Sequence, residues 1–287
     1  MILAVVQARM GSTRLPGKVL KEINGKPLIE VLLYRLSRSK KIDKILLATS
    51  IKPENDLLVE TVEKLGYEVY RGSEDDVLDR YYQATKKHLP DSVVRITGDC
   101  PLIDPDVIDA VINNYQQNDV DYASNTLPPT YPDGLDVSVF SFRSLQIAWE
   151  QATSKYDREH VTPFIRFNDQ FTRTNLSNIE DFSSERWTVD EPEDFEVISK
   201  IIEHFSPNLD FSWQDIINLK KLHPEYFEAN KNISRNEGST IDSGQKLWKR
   251  AKKIIPGGNQ LLSKRPEMFL PDHWPTYYKK AKGCKVW

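Results

Sequence analysis

The chain is poor in several things that would place it quickly. Two cysteines, Cys100 and Cys284, are too few for a disulfide framework or a cysteine metal site, and they point to a reducing, cytoplasmic setting. No apolar run approaches the length of a membrane span. The net charge of −3 argues against general affinity for nucleic acid or a membrane surface. No basic stretch precedes the apolar start Met1-Ile2-Leu3-Ala4-Val5-Val6, which reads as a first strand and not a signal peptide. Internal repeats are missing too.

What is present is a core-forming composition, 39% hydrophobic in 287 residues, enough for one large domain or two smaller ones. Strand-like and helix-like segments alternate through the first half, which predicts βαβ units around a parallel sheet. Strands are expected at 3–6, 44–50, 67–70, 93–97, 120–123, 135–140, 171–176 and 186–189. Helices are expected at 27–37, 54–65, 76–89, from Pro105 onward, at 142–152 and at 193–205. Asn230 to Thr240 is polar and unpatterned and reads as a linker. The predicted division is a first domain over 1–230, a linker over 231–244 and an incomplete segment over 245–287, with a basic helix at 243–255.

The first strand runs into Gln7-Ala8-Arg9-Met10-Gly11-Ser12-Thr13-Arg14-Leu15-Pro16-Gly17-Lys18. Arg9, Arg14 and Lys18 bring positive charge, and arginine forks match phosphate oxygens in pairs. Lys18 reads as a solvated stem in a glycine-rich turn, with Gly11 and Gly17 allowing close backbone approach. Beyond the end of a first parallel strand, such a loop lies where open α/β sheets bind ligands. It is not the usual P-loop: five residues separate Gly11 from Gly17, and Val19 follows Lys18 where Ser or Thr would meet the metal.

Phosphates held by such a loop need a counter-charge, most often magnesium on one or two carboxylates. Asp99, in Gly98-Asp99-Cys100-Pro101 just past an apolar run, is the leading candidate. Asp190, in Trp187-Thr188-Val189-Asp190, is the second. Glu191, Glu193 and Asp194 read instead as serving the next helix's N-terminus. Asp104-Pro105-Asp106, the Asp-x-Asp pair a glycosyltransferase would use, reads better as a helix cap.

The stretch Ala8-Arg9 through Ser12 to Arg14-Leu15-Pro16-Gly17-Lys18 resembles the nucleotidyltransferase signature of the cytidylyltransferases that activate sugar acids. Arg95-Ile96-Thr97-Gly98-Asp99-Cys100-Pro101 and Thr188-Val189-Asp190 resemble the metal-binding segments of the same family. Three further pieces resemble its spore-coat-polysaccharide branch: 71–80, Pro132-Asp133-Gly134-Leu135-Asp136-Val137, and Arg158-Glu159-His160-Val161-Thr162-Pro163. The resemblance covers roughly residues 1–230. It implies an α/β, Rossmann-like nucleotidyltransferase fold of the nucleotide-diphospho-sugar transferase type, a mixed sheet with flanking helices, followed by a short irregular tail.

It also implies Mg2+-dependent transfer of CMP from CTP to a sugar acid, serving surface polysaccharides. The catalytic residues would be Arg14, Lys18 and Asp99, and the metal ligands Asp99 and Asp190. Gln7, Ala8, Arg9, Gly11, Ser12, Arg14, Lys18, Arg71 and Gly72 would line the nucleotide. Asp133, Asp136, Arg158 and His160 would meet the acceptor. Asp76, Asp79 and Arg80 read equally as a helical ion-pair set or as part of a site. Another nucleotide with a sugar 1-phosphate, or a nucleotide-sugar glycosyltransferase, stays open as an alternative, as does the oligomeric state, a homodimer included. Leu247 to Asn259, with Ile255-Pro256-Gly257-Gly258, resembles the opening of class III aminotransferases, which implies a fragment of a longer fusion without aminotransferase activity of its own.

Overall fold

The computed structural model describes residues 1–235, together with a short antiparallel pair at Ala281–Lys282 and Lys285–Val286. It separates into two compact units, Met1–Ile233 and Ser234–Trp287. The expected linker beyond residue 235 and the helix at 243–255 lie outside the described residues.

In chain order the first unit contains β1 (Ile2–Gln7), a hairpin of β2 (Glu22–Ile23) and β3 (Lys26–Pro27), α1 (Leu28–Leu36), β4 (Lys44–Ser50), α2 (Asp56–Lys64), β5 (Glu68–Gly72), α3 (Val77–Lys86), β6 (Ser92–Thr97) and α4 (Pro105–Asn118). Then come β7 (Tyr122–Ser124), β8 (Ser138–Ser141), α5 (Phe142–Gln151), α6 (Lys155–His160), α7 (Pro163–Phe167), β9 (Arg173–Asn175), α8 (Pro192–Phe205) and α9 (Trp213–Leu222). Seven strands form one sheet in the order β5-β4-β1-β6-β8-β7-β9. Only β8 runs against its neighbours, pairing antiparallel with both β6 and β7.

The central strands are apolar on both faces, as parallel strands covered on two sides must be. Ala4, Val6, Leu47, Val94 and Ile96 pack under α1, α2 and α4 through Leu32, Leu36, Leu58, Val62, Ile108 and Val111. Leu3, Val5, Leu46, Ala48 and Val93 pack under α3 and α5 through Leu78, Tyr81, Leu145 and Ala148, with Val161 and Ile165 completing that layer. A third cluster joins α8 and α9 to the β1 loop and to Trp187: Val197, Ile198, Ile201, Trp213 and Ile216 enclose Leu15, Leu135 and Val189. This cluster fixes the loop after β1 against the segment that carries Asp190.

Three expectations need correction. Residues 186–189 are not a strand. Arg186 makes only an isolated bridge to Asp133, and the N–H groups of Trp187 and Val189 bond to the carbonyls of Asp133 and Asp99, on two different loops. The segment is extended because it laces loops together. β8 begins at Ser138 and not at Leu135, because the Asn125 side chain takes the carbonyl of Leu135 and the N–H of Val137. Asp76 lies outside α3: it is the N-cap, accepting from the N–H of Asp79 at 2.9 Å.

Candidate active site

The loop after β1 is held from several sides before any charge is considered. The N–H of Met10 donates to Asn55 Oδ1 at 2.8 Å, and the N–H of Gly17 returns to the Met10 carbonyl at 3.1 Å. The loop after β6 presses against it: the N–H of Gly98 donates to the Gln7 carbonyl at 2.7 Å, and a Cβ on Gly98 would fall 2.6 Å from that of Ala8. Only glycine admits this approach, and it brings the β1 loop and Asp99 together. Gly134, with φ +109°, does the same on the far side, where a Cβ would lie 2.7 Å from the Trp187 carbonyl. The backbone carbonyl of Asp99 then accepts from the N–H of Val189 at 2.8 Å and from Thr188 Oγ1 at 3.1 Å. Two acidic segments 91 residues apart in sequence are therefore joined through main-chain bonds.

Lys18 is where they converge. Its Nζ donates to Asp190 Oδ1 at 2.9 Å, to the Val189 carbonyl at 2.6 Å and to Asp99 Oδ2 at 3.4 Å. Its side chain is 11% exposed, so it is an enclosed cation and not the solvated stem expected from the turn. Burial works against its charge, yet Asp99 and Asp190 outweigh burial and raise its pKa. Burial likewise opposes ionisation of Asp99, but Lys18, Thr97 and the Cys100 thiol hold its carboxyl below the usual range. Arg14 joins the cluster through Nη2 to Asp190 Oδ1 at 3.1 Å and Nη1 to Glu191 Oε1 at 2.9 Å. Arg9 pairs separately with Glu74 at 2.6 Å. All three loop cations are thus engaged by carboxylates.

Asp190 owes its place to a buried network of which only Asp133 was among the expected site residues, and that as an acceptor contact. Arg186 grips Asp194 with Nε and Nη2 at 2.8 and 2.7 Å and reaches Asp133 with Nη1 at 3.0 Å. Asp194 Oδ2 accepts from the N–H groups of Asp190 and Glu191, and Asn230 Nδ2 donates to Asp194 Oδ1 at 2.9 Å. Asp194, with no exposed surface, therefore serves the start of α8, as its position suggested. Asp133 belongs to this support, its carboxylate on Arg186. The sequence signal for the network was the acidic run 190–194 following an arginine, and it stayed mute because burial decides which acid does what. Asp104 is 2% exposed and caps α4 through the N–H groups of Asp106 and Val107, as the helix-cap reading expected.

The other expected residues are spread around this centre. Gln7, Ala8, Gly11 and Ser12 lie on the β1 strand end and loop. Arg71 is anchored to the carbonyls of Ile51 and Lys52 and pairs with Asp56 at 2.7 Å, so its fork is engaged at the end of β5, beside Gly72. Asp136 sits in the segment entering β8, close enough for its charge to help push the buried Cys100 thiol upward, after the larger effects of burial and Asp99. Arg158 clasps Asp76 with Nε and Nη2 and gives Nη1 to the Trp149 carbonyl at 2.7 Å. His160 is half-buried at the end of α6, and burial lowers its pKa. Asp79 accepts from Trp149 Nε1, while Arg80 is fully buried with Nη1 on the Ser73 carbonyl, so these two hold α3 in place.

Among the described residues no group of three or more His, Cys, Asp or Glu side chains is placed to hold a metal ion. The pair Asp99 and Asp190 nonetheless fits a hard cation. Both already share one ammonium at 3.4 and 2.9 Å, which keeps their carboxylates within the roughly 8 Å that a shared hydrated ion or ion pair spans. No helix among the described residues is long and apolar enough to cross a membrane.

Comparison with known proteins agrees with this geometry. The cytidylyltransferase family model matches residues 3–233. An uncharacterized protein of Methanocaldococcus jannaschii is 39% identical over 84% of this chain and 99% of its own length. The spore coat polysaccharide biosynthesis protein SpsF of Bacillus subtilis is 35% identical over 78% of this chain and 95% of its own. Among solved structures, a cytidylyltransferase from Leptospira borgpetersenii superposes with a TM-score of 0.75 at 33% identity, covering 79% of this chain and 96% of that one. A CMP:2-keto-3-deoxy-manno-octonic acid synthetase shares the fold, with a TM-score of 0.56 at 18% identity, over 71% of this chain and 98% of its own. A loop of two arginines and a lysine, closed on four carboxylates beside a mixed seven-stranded sheet, thus belongs to an enzyme of the cytidylyltransferase family.

Proposed function

We propose that this enzyme transfers CMP from CTP to a sugar acid and releases pyrophosphate, in the activation of a sugar for a surface polysaccharide. The observation that carries the reading is the convergence of Lys18 and Arg14 on Asp99 and Asp190. The acceptor oxygen attacks the α-phosphorus in line, one P–O bond forms, and the bond to the β-phosphate bridging oxygen breaks. Lys18 and Arg14 exchange their carboxylate partners for phosphate oxygens and stabilise the leaving pyrophosphate. Asp99 and Asp190, released from that pairing, are the residues that would hold Mg2+, which would neutralise charge on the phosphates and the attacking oxygen. The names of the relatives support the acceptor class: SpsF in spore coat polysaccharide biosynthesis, and 3-deoxy-manno-octulosonate cytidylyltransferases at 31–32% identity over 62% of this chain.

Pyrophosphate release measured with each of the four nucleotides against a panel of sugar acids and sugar 1-phosphates tests this reading. Turnover with CTP and a sugar acid is the expected result. Turnover confined to another nucleotide with a sugar 1-phosphate transfers the enzyme to a different reaction of the same chemistry. Inertness with every pair at high magnesium overturns it.

A further inference from the structure

Among the arginines named above, Arg80 and Arg95 pair with no carboxylate; Arg80 gives Nη1 to the Ser73 carbonyl, whereas Arg95 makes no side-chain hydrogen bond among the described residues. Arg9, Arg14, Arg71, Arg158 and Arg186 each pair with a carboxylate. No carboxylate forms an ion pair with Arg95 among the described residues, and its buried Nε has no hydrogen-bond acceptor. A partly buried guanidinium without a counter-charge is costly, so its presence in the middle of a strand calls for a partner from outside.

Its place in the sheet says where that partner comes from. Arg95 lies on β6 opposite Val5 of β1 and Ser138 of β8. Alternation along β6 puts it on the face of Val93, under α3 and α5. Thr97 follows on the same face at the strand's end, about 7 Å further along the backbone, and Asp99 lies in the turn just beyond it. Across the sheet, Ser138 of β8 lies opposite Arg95, its hydroxyl shared with Tyr122, and Ser124 of β7 lies one strand further.

The second side of this corner is His160. Burial disfavours the imidazolium, the neighbouring Glu159 carboxylate opposes that, and Arg95 lies close enough for its charge to add to the effect of burial. The backbone after His160 is strained: Val161 sits at φ +70°, ψ −58°, and the N–H of Thr162 closes onto the His160 carbonyl at 2.8 Å. That is a γ-turn of the positive-φ kind, disfavoured for a β-branched residue and held here by the complete burial of Val161. Strain of this sort fixes the end of α6 against the sheet. Arg158, the neighbouring cation in sequence, is engaged by Asp76 and the Trp149 carbonyl.

We propose that Arg95, together with His160, seats an anionic group of the acceptor sugar and so selects acidic acceptors over neutral ones. The assignment rests on the proposed cytidylyl transfer. The ligand chemistry is a pair of anionic oxygens, from a carboxylate or a phosphate, taken bidentately by the guanidinium.

The test uses the full chain with Arg95→Gln and Arg95→Lys, and two probes, 3-deoxy-manno-octulosonate and a hexose 1-phosphate. Thermal stabilisation by each probe alone is measured beside steady-state kinetics with CTP and Mg2+. In Arg95→Gln the KM for the acidic acceptor rises about 30-fold, the loss of one charge-assisted contact, while the KM for CTP stays within about twofold. Stabilisation by the probe is lost, and the melting temperature without ligand does not fall, because no internal partner is abandoned. Arg95→Lys restores most of the acceptor affinity. The probe that stabilises the wild type identifies the source of the anion. An unchanged acceptor KM in Arg95→Gln, or a melting temperature that drops with both KM values rising together, overturns the seat and leaves the transfer reaction standing. If the wild type turns over neither probe, the transfer to these acceptors falls. If neither probe stabilises the wild type, the seat falls with it.

Discussion

Two clusters of arginine, lysine and aspartate lie side by side and behave differently because water reaches only one of them. In the buried cluster, Arg186 is locked between Asp194, with no exposed side chain, and Asp133, at 10%. Every bond there closes within the protein, down to the Asp194 oxygens that accept from Asn230 and from the N–H groups of Asp190 and Glu191. In the open cluster, Asp99 and Asp190 keep 29% and 22% of their side chains exposed, and Arg14 keeps 34%. The open pairs are exchangeable: a phosphate can replace a carboxylate on Lys18, and a hydrated cation can replace Lys18 on the carboxylates. The same residue types thus build a scaffold when sealed and a site when wet, and Asp190 is held by the first to act in the second.

The largest expected effect comes from breaking the scaffold. Asp194→Ala leaves the Arg186 guanidinium with Asp133 at 3.0 Å and only a longer contact to Asp190 at 3.5 Å, and removal of one partner from a buried pair costs about 3–5 kcal/mol. Denaturant unfolding of the domain should show that loss. Truncation after Ala229, which removes Asn230 from the same carboxylate, should reproduce about 1–2 kcal/mol of it, while truncation after Ile233 should not. A fully stable Asp194→Ala protein would erase the distinction between the clusters.

The matching change in the open cluster is Lys18→Ala. It should lower kcat/KM by about 10²–10³, the usual effect of removing a donor that stabilises transition-state charge, with a stability change below about 2 kcal/mol. Steady-state kinetics and a melting curve on the same preparation check both halves. A folded variant with near wild-type turnover would remove Lys18 from the reaction.

Much of this comparison was legible in the sequence, and the illegible part has one cause. The β1 loop, Asp99 and Asp190 announce themselves by order and spacing, and the parallel core follows from apolar runs such as 44–50. Arg186, Asp194 and Asn230 could not be ranked above their neighbours, because Glu191, Glu193 and Asp194 all read alike as acids at a helix start and are told apart by burial, which tertiary packing decides. The residues 186–189 carry a strand-like composition, yet the ladder they would need is replaced by loop carbonyls. Helices α6 and α7 are hard to read because they are short, at six and five residues, whereas α9 was legible: Ser212 and Asp215 form a capping box, Trp213, Ile216 and Leu219 keep helical spacing, and lysines close its last turn.

A smaller effect concerns ligands at the open cluster. Lys18 occupies the place between Asp99 and Asp190, so Mg2+ alone should stabilise the fold weakly. CTP draws Lys18 and Arg14 onto its phosphates and leaves the carboxylates for the ion. Thermal stabilisation by CTP and Mg2+ together should therefore exceed the sum of the separate effects. Asp99→Asn should abolish that excess while keeping part of the stabilisation by CTP. Strictly additive shifts in the wild type would show that nucleotide and ion do not meet at this pair.

The smallest effect is in acid, and its sign follows from the direction in which each carboxyl is displaced. Burial raises the pKa of Asp194, but Arg186, Asn230 and two backbone N–H groups outweigh it and bring it below the usual aspartate value; Asp99 is lowered by Lys18 against the same opposition. A carboxyl held low in the fold contributes stability that is complete above the unfolded value near 4 and is lost as pH falls through the folded value. Unfolding free energy measured from pH 6 down to about pH 3 should therefore fall below about pH 4 in the wild type. Asp194→Asn should flatten that limb by up to about 1.4 kcal/mol per pH unit, one proton's worth. Asp99→Asn should flatten it less, because water screens a pair that is partly exposed. If Asp99→Asn flattened the acid limb as much as Asp194→Asn does, the open cluster would be as sealed as the buried one, and the exchange of carboxylate for phosphate on Lys18 would lose its physical basis.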